Sequence, residues 1–189
     1  MGAYPISRLF TLEEYLMFER VAPTKSECIG GVIYTINDAN RGQNAITGNT
    51  LVNLEMRLGE KGCRAHSSDV RVSLSNDGPH FYSDGSVVCP RDDNWHDDMV
   101  SQPTLVSEVF SDSTQRFDRD VKINRYKKTP SIQHILLISQ WKIDIEHHHR
   151  LEPELWDVRR YSSPDENIPV KALSLELPVA AAYRGMKFT

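Results

Sequence analysis

The chain has 189 residues, 39% hydrophobic and 25% charged, which suits one soluble domain spanning 1–189 with a core of its own. Its formal net charge of −4 argues against a protein that coats nucleic acid nonspecifically, while leaving room for a local basic groove. The longest apolar stretches are short and the N-terminal segment carries Glu13, Glu14, Glu19 and Glu27, so neither a signal peptide nor a membrane span is expected.

Thr11 with Glu14 forms a capping-box pattern, and TLEEYLMFER reads as a first helix. SECIGGVIYTI follows as a strand or hairpin start that turns at Gly30-Gly31. From Asn44 to Leu58, Ile46, Leu51, Leu54 and Leu58 recur at helical spacing, and Gly59 to Gly62 end that helix. CRAHSSDVRVSL and HFYSDGSVVC are two β-rich runs joined by SNDGP, which predicts a hairpin between them. Residues 90 to 103 read as a polar loop. LVSEVF is the next strand, and Ser113 or Thr114 caps a helix running to about Lys128, before Thr129-Pro130. IQHILLIS reads as a central strand, and WKIDIEHHHR and LWDVRRYS as an antiparallel pair nearer the edge. Mixed helices and adjoining strands predict an α/β (α+β) fold built on a mixed sheet.

Cys28, Cys63 and Cys89 are odd in number and widely spaced, with no CxxC pair. They read as reduced core cysteines of a cytoplasmic protein, in preference to a disulfide or a zinc site. His147, His148 and His149 alternate faces if they lie in a strand, so they cannot share one ion and read as an exposed strand end or turn. The acids Asp92, Asp93, Asp97 and Asp98 lack calcium-loop spacing and read as a solvated loop, with Trp95 either packed on it or facing substrate. No GxSxG is present to support a serine hydrolase.

The chemistry concentrates in two runs. Asp84 sits in YSDGSVV and Glu108 in LVSEVF, each flanked by apolar residues. A carboxylate at the end of a buried strand is costly unless paired or metal-bound. Converging carboxylates suit Mg²⁺ or Mn²⁺, which favour oxygen ligands and can activate water beside a phosphate. On the following helix Asp118, Lys122 and Tyr126 fall at four-residue steps and share a stripe, which equally fits a surface ion pair. Arg116, Arg119, Lys122, Arg125, Lys127 and Lys128 outnumber Asp118 and Asp120 there, which suits a polyanionic substrate and equally fits a solvated helix face.

The order SDGxVV, then LVSEVFSDSTxxxDRDVKxxxY, then an apolar strand resembles the Uma-two family of restriction-endonuclease-like proteins, within the PD-(D/E)XK nuclease superfamily. FTLEEYL, SECIGGVIY, residues 43 to 51 and LSLELPVAAAYRG are similar to further segments of that family, so the resemblance covers nearly the whole chain. It implies a restriction-endonuclease-like core, a mixed sheet flanked by helices. It also implies an Mg²⁺- or Mn²⁺-dependent endonuclease acting on DNA, with Asp84, Glu108 and Lys122 catalytic and Asp84, Glu108 and Glu27 holding the metal. Arg116, Arg119 and Tyr126 are then expected to bind substrate. The usual lysine position two after the second acid is Phe110, and its role passes to Lys122. Ser83 stands where the family usually has proline, and Gln43 where it often has histidine. An alternative is a noncatalytic DNA-binding or protein-interaction module of the same fold. A homodimer would be the simplest way to cut two strands.

Overall fold

The computed structural model describes residues 9–36, 39–74, 79–89, 98–110 and 121–188. Helix α1 spans Leu12–Glu19, and both halves of the capping box form between Thr11 and Glu14. Strands β1 (Ser26–Ile29) and β2 (Val32–Thr35) make the expected hairpin, with Gly30 and Gly31 at φ +59° and +82° supplying the left-handed turn. Helix α2 spans Arg41–Leu58, three residues earlier in onset than its apolar spacing suggests, because Asn40 caps it by accepting from the Gln43 N–H.

The two runs expected to form a simple hairpin each break in two. The first gives β3 (Arg64–Ser67) and β4 (Arg71–Ser73); the second gives β5 (His80–Phe81) and β6 (Gly85–Val88). Strand β4 pairs antiparallel with β5, and β3 with β6, so the hairpin is real but forks into two sheets. Residues 90–97 lie outside the described set, and with them Asp92, Asp93, Trp95 and Asp97. The polar loop ends sooner than expected, since Met99–Ser101 form β7, parallel to β4.

Strand β8 (Pro103–Phe110) lies parallel to β9 (His134–Ser139), the expected central strand. Helix α3 spans Ile123–Lys128, entered through a π-type turn at Val121 and Lys122, a geometry often found at functional sites. The upstream part of that expected helix, including its cap at Ser113 or Thr114, lies outside the described residues. Strands β10 (Ile145–Glu152) and β11 (Leu155–Tyr161) form the expected antiparallel pair. The chain closes with β12 (Asn167–Val170), β13 (Leu175–Pro178) and a short helix α4 (Val179–Ala182).

The order is β2-β1-β5-β4-β7 in one sheet and β11-β10-β9-β8-β6-β3 in a second, while β12 and β13 form a two-stranded sheet of their own. Alternation along β8 and β9 divides the core. Leu105, Val109, Leu136 and Ile138 pack with Ile46, Leu54 and Leu58 of α2 on one face. Val106, Phe110, Ile135 and Leu137 pack with Ile123 and Tyr126 of α3 on the other. Among the described residues no helix is long and apolar enough to cross a membrane.

Two sequence readings are corrected. Cys63 and Cys89 form a disulfide, leaving Cys28 free and buried. The pairing Arg64↔Val88 sets these cysteines beside each other across β3 and β6, with Cα atoms 4.4 Å apart, a proximity that a separation of 26 residues hides. His147 and His148 are not at an exposed strand end: β9 and β11 flank β10, and both rings are buried. His147 stacks on His134, with 2.9 Å between His134 Nδ1 and His147 Nε2.

Burial first, then neighbouring imidazoles, lower His134 to about 3 and His147 to about 4, from an ordinary 6.5. The unfolded chain takes up these protons near pH 6.5, whereas the folded one resists until pH 3 to 4. Stability from this pair is therefore full above about pH 6.5 and lost as pH falls, at on the order of 1.4 kcal/mol per pH unit for each histidine. Urea unfolding midpoints should drop between about pH 7 and about pH 5, and less steeply in His147→Gln; equal slopes would remove the pair from this role.

Candidate active site

Glu108 lies on the β8 face that carries Val106 and Phe110, so its side chain enters the apolar layer beneath α3. It is 3% exposed and is met there by two groups. Tyr126, wholly buried one turn beyond Lys122, donates its hydroxyl to Glu108 Oε1 at 2.6 Å. Lys122 Nζ lies 3.5 Å from the same oxygen. The ammonium also pairs with Glu27 Oε1 at 2.9 Å and donates to the Tyr82 carbonyl at 3.3 Å. Glu27 is wholly buried, and its Oε1 further accepts the Tyr82 N–H at 2.9 Å. One lysine thus joins an acid of β1 to an acid of β8, and the backbone of Tyr82 touches both Lys122 and Glu27.

Asp84 reaches the same place by register. Gly85 pairs with Ser107 across β6 and β8, so the preceding Asp84 comes opposite Glu108. Its Oδ2 accepts the Val109 N–H at 2.7 Å, gripping the peptide that follows Glu108. Gln43, in the first turn of α2, approaches Asp84 Oδ1 at 3.5 Å. Close packing of α2 here needs Gly85, since a Cβ would stand 2.6 Å from Ser107 Oγ and 2.9 Å from Leu51 Cδ2. Asp84 is only partly buried and, with Tyr82, Gln43 and Lys25, lines a cleft of about 340 Å³.

A second layer holds Tyr82. Its hydroxyl donates to Glu19 Oε1 at 3.1 Å, and Glu19 also accepts the Ser26 N–H at 3.0 Å and the Ser26 hydroxyl. Burial, then the charge of Glu19, push the Tyr82 hydroxyl well above its ordinary range, which keeps it a donor. The end of α1 therefore fixes both the residue before Glu27 and the ring whose backbone contacts Glu27.

The structure brings together Glu27, Asp84, Glu108, Lys122 and Tyr126. Tyr126, expected to bind substrate, is instead a buried donor to Glu108. Arg116, Arg119 and Asp118 lie outside the described residues. Asp98 pairs with the buried Arg71. Sequence reasoning missed the Tyr82 and Val109 backbone groups, which any side chain would carry equally, and Glu19, which gave no signal. Among the described residues no three acidic, histidine or cysteine side chains close into a ready metal cage.

Two sheets joined through a forked hairpin, with acids within β1 and β8 and just before β6 and a lysine at the entry to the covering helix, make a restriction-endonuclease-like fold. A crystal structure titled as that of a "putative nuclease belonging to DUF820" from Anabaena variabilis superimposes with a TM-score of 0.71. It is 18% identical, and the match covers 92% of this chain and 97% of that one. The family model Uma2, described as "Putative restriction endonuclease", matches residues 12–180, and the chain belongs to that family. Two proteins of Synechocystis sp., both described as uncharacterized, are similar along most of their length. One is 28% identical over 93% of this chain and 92% of its own, the other 31% over 79% and 86%.

Replacing Tyr126 by Phe removes the donor at 2.6 Å from Glu108 while keeping the ring that packs edge-on against Phe81. A hydrogen bond to a buried charge is worth about 1.5–3 kcal/mol, so denaturant unfolding should show a loss of that order. A loss below about 0.5 kcal/mol, within the range of ordinary surface substitutions, would show the bond to be dispensable.

Proposed function

We propose that this protein is an endonuclease that hydrolyses DNA phosphodiester bonds with the help of Mg²⁺ or Mn²⁺. The observation that carries this reading is the convergence of Asp84 and Glu108 on paired strands, beside a cleft, with Lys122 between Glu108 and Glu27. The donor set fits a hard cation: Asp84 is a partly exposed carboxylate at the cleft, and the available donors are oxygens. Asp84 and Glu108 would hold the ion, with Glu27 nearby chiefly holding Lys122. Such an ion supplies an activated water and stabilises charge on a phosphate oxygen.

The chain's own groups provide the positioning. The Val109 N–H fixes the orientation of Asp84, and the Tyr126 hydroxyl fixes Glu108. Glu27 and the Tyr82 carbonyl aim the Lys122 ammonium. From there Lys122 orients the attacking water and offsets negative charge as it develops on the phosphoryl group. Arg116 and Arg119, from the basic segment before Lys122, would contact the DNA backbone. The family's restriction-endonuclease description supports DNA as the substrate.

A second reading, a noncatalytic DNA-binding or protein-interaction module, draws on the closure of Glu27 and Glu108 onto Lys122. The two part experimentally. Purified protein with Mg²⁺ or Mn²⁺ should nick or cut DNA, and Asp84→Asn and Lys122→Ala should each lower the rate by about a hundredfold or more. Equal cleavage by wild type and both variants would assign the activity to a contaminant. Absence of both cleavage and millimolar Mn²⁺ binding would favour the noncatalytic module.

A further inference from the structure

Where β1 turns at Gly30-Gly31 and β5 begins at His80, a second cavity of about 220 Å³ is lined among others by Phe10, Cys28, Gly31, His80 and Arg125. The register Cys28↔His80 puts these two side chains on one face, away from Glu27 and Phe81, which alternate to the other. His80 is 2% exposed, and neither ring nitrogen has a hydrogen-bond partner among the described residues. Leaving a buried polar atom without a partner is costly, so such a ring calls for a ligand.

The surroundings set the chemistry of that ligand. Arg71 projects from the same sheet face, since Ser73 pairs with His80 and Arg71 lies two residues before it. Its guanidinium binds Asp98 through Nη2, while Nε and Nη1 are buried with no partner among the described residues. Burial, then the charge of Arg71, push the His80 imidazole below its ordinary range. Arg125 stands exposed at the rim on α3 and makes no ion pair among the described residues. None of the described lining residues is a carboxylate. The turn at Gly30 leaves open space where a side chain would stand.

We propose that this cavity is a binding site for a phosphate oxyanion, taken between a His80 ring N–H and the Arg125 guanidinium, with the Arg71 charge behind. The group could come from free phosphate or from a nucleic-acid phosphodiester. The site is separate from the cleft at Asp84 and does not rest on the catalytic reading.

The test is a titration of full-length protein with inorganic phosphate, free of divalent metal, followed through the His80 ring resonances and assigned by their loss in His80→Gln. A saturable shift with a dissociation constant on the order of 1 mM is expected, weakened about tenfold in Arg125→Ala, whose exposed position leaves the fold intact. No saturable shift, or the same affinity in Arg125→Ala, overturns the proposal. A short DNA duplex that perturbs the same resonances and competes with phosphate identifies the phosphodiester as the source. Response to inorganic phosphate alone identifies the free anion.

Discussion

The Lys122 ammonium is the group on which the rest of the site depends. It sits almost wholly buried between two acids that are themselves almost wholly buried, one on each sheet. None of the three charges is tolerable in that position alone. Burying an ion costs several kcal/mol, and losing one partner of a buried pair costs about 3–5 kcal/mol. The pair is therefore a condition on assembly. Strand β1, strand β8 and the turn into α3 must arrive together, although long stretches of chain separate them. The closed geometry also holds the lysine at a fixed position between the sheets.

Around that centre the backbone does much of the positioning. Tyr82 offers its N–H to Glu27 and its carbonyl to Lys122, and Val109 offers its N–H to Asp84. Main-chain groups have no rotamers to lose, so carboxylates anchored on them are held at low entropic cost. Glu19 extends the support to α1, where one carboxylate binds both the Ser26 backbone and the Tyr82 ring. The five-stranded sheet carries polar groups on both faces, with Glu27 toward Lys122 and with Arg71 and His80 alternating to the other side.

What the sequence disclosed depended on range. Glu108 was legible because an acid interrupts an apolar strand, and α1 because Thr11 and Glu14 state its beginning. Asp84 was legible for the same reason as Glu108, and Glu27 and Lys122 through the pattern of the whole family. The fork of the hairpin was hidden, since a strand that changes sheets keeps the same local alternation. The Cys63–Cys89 bridge depended on the register of β3 with β6. The burial of His147 and His148 depended on β9 and β11 lying to either side. Tyr126 was correctly placed on the stripe of Lys122, yet nothing local told that the stripe faces inward to Glu108.

The forked hairpin has a consequence for how this fold can vary over time. The stretch between Phe81 and Gly85 carries the chain out of one sheet and into the other, and contributes Tyr82 and Asp84 on the way. A strand reverses the outlook of its side chains with every residue. A single insertion or deletion here would turn Asp84 away from Val109, or Tyr82 away from Glu27, while the sheets on either side stayed whole. Drift in the length of this joint is thus closed to any descendant that keeps the site, and a descendant carrying such a change would fold with its chemistry out of frame.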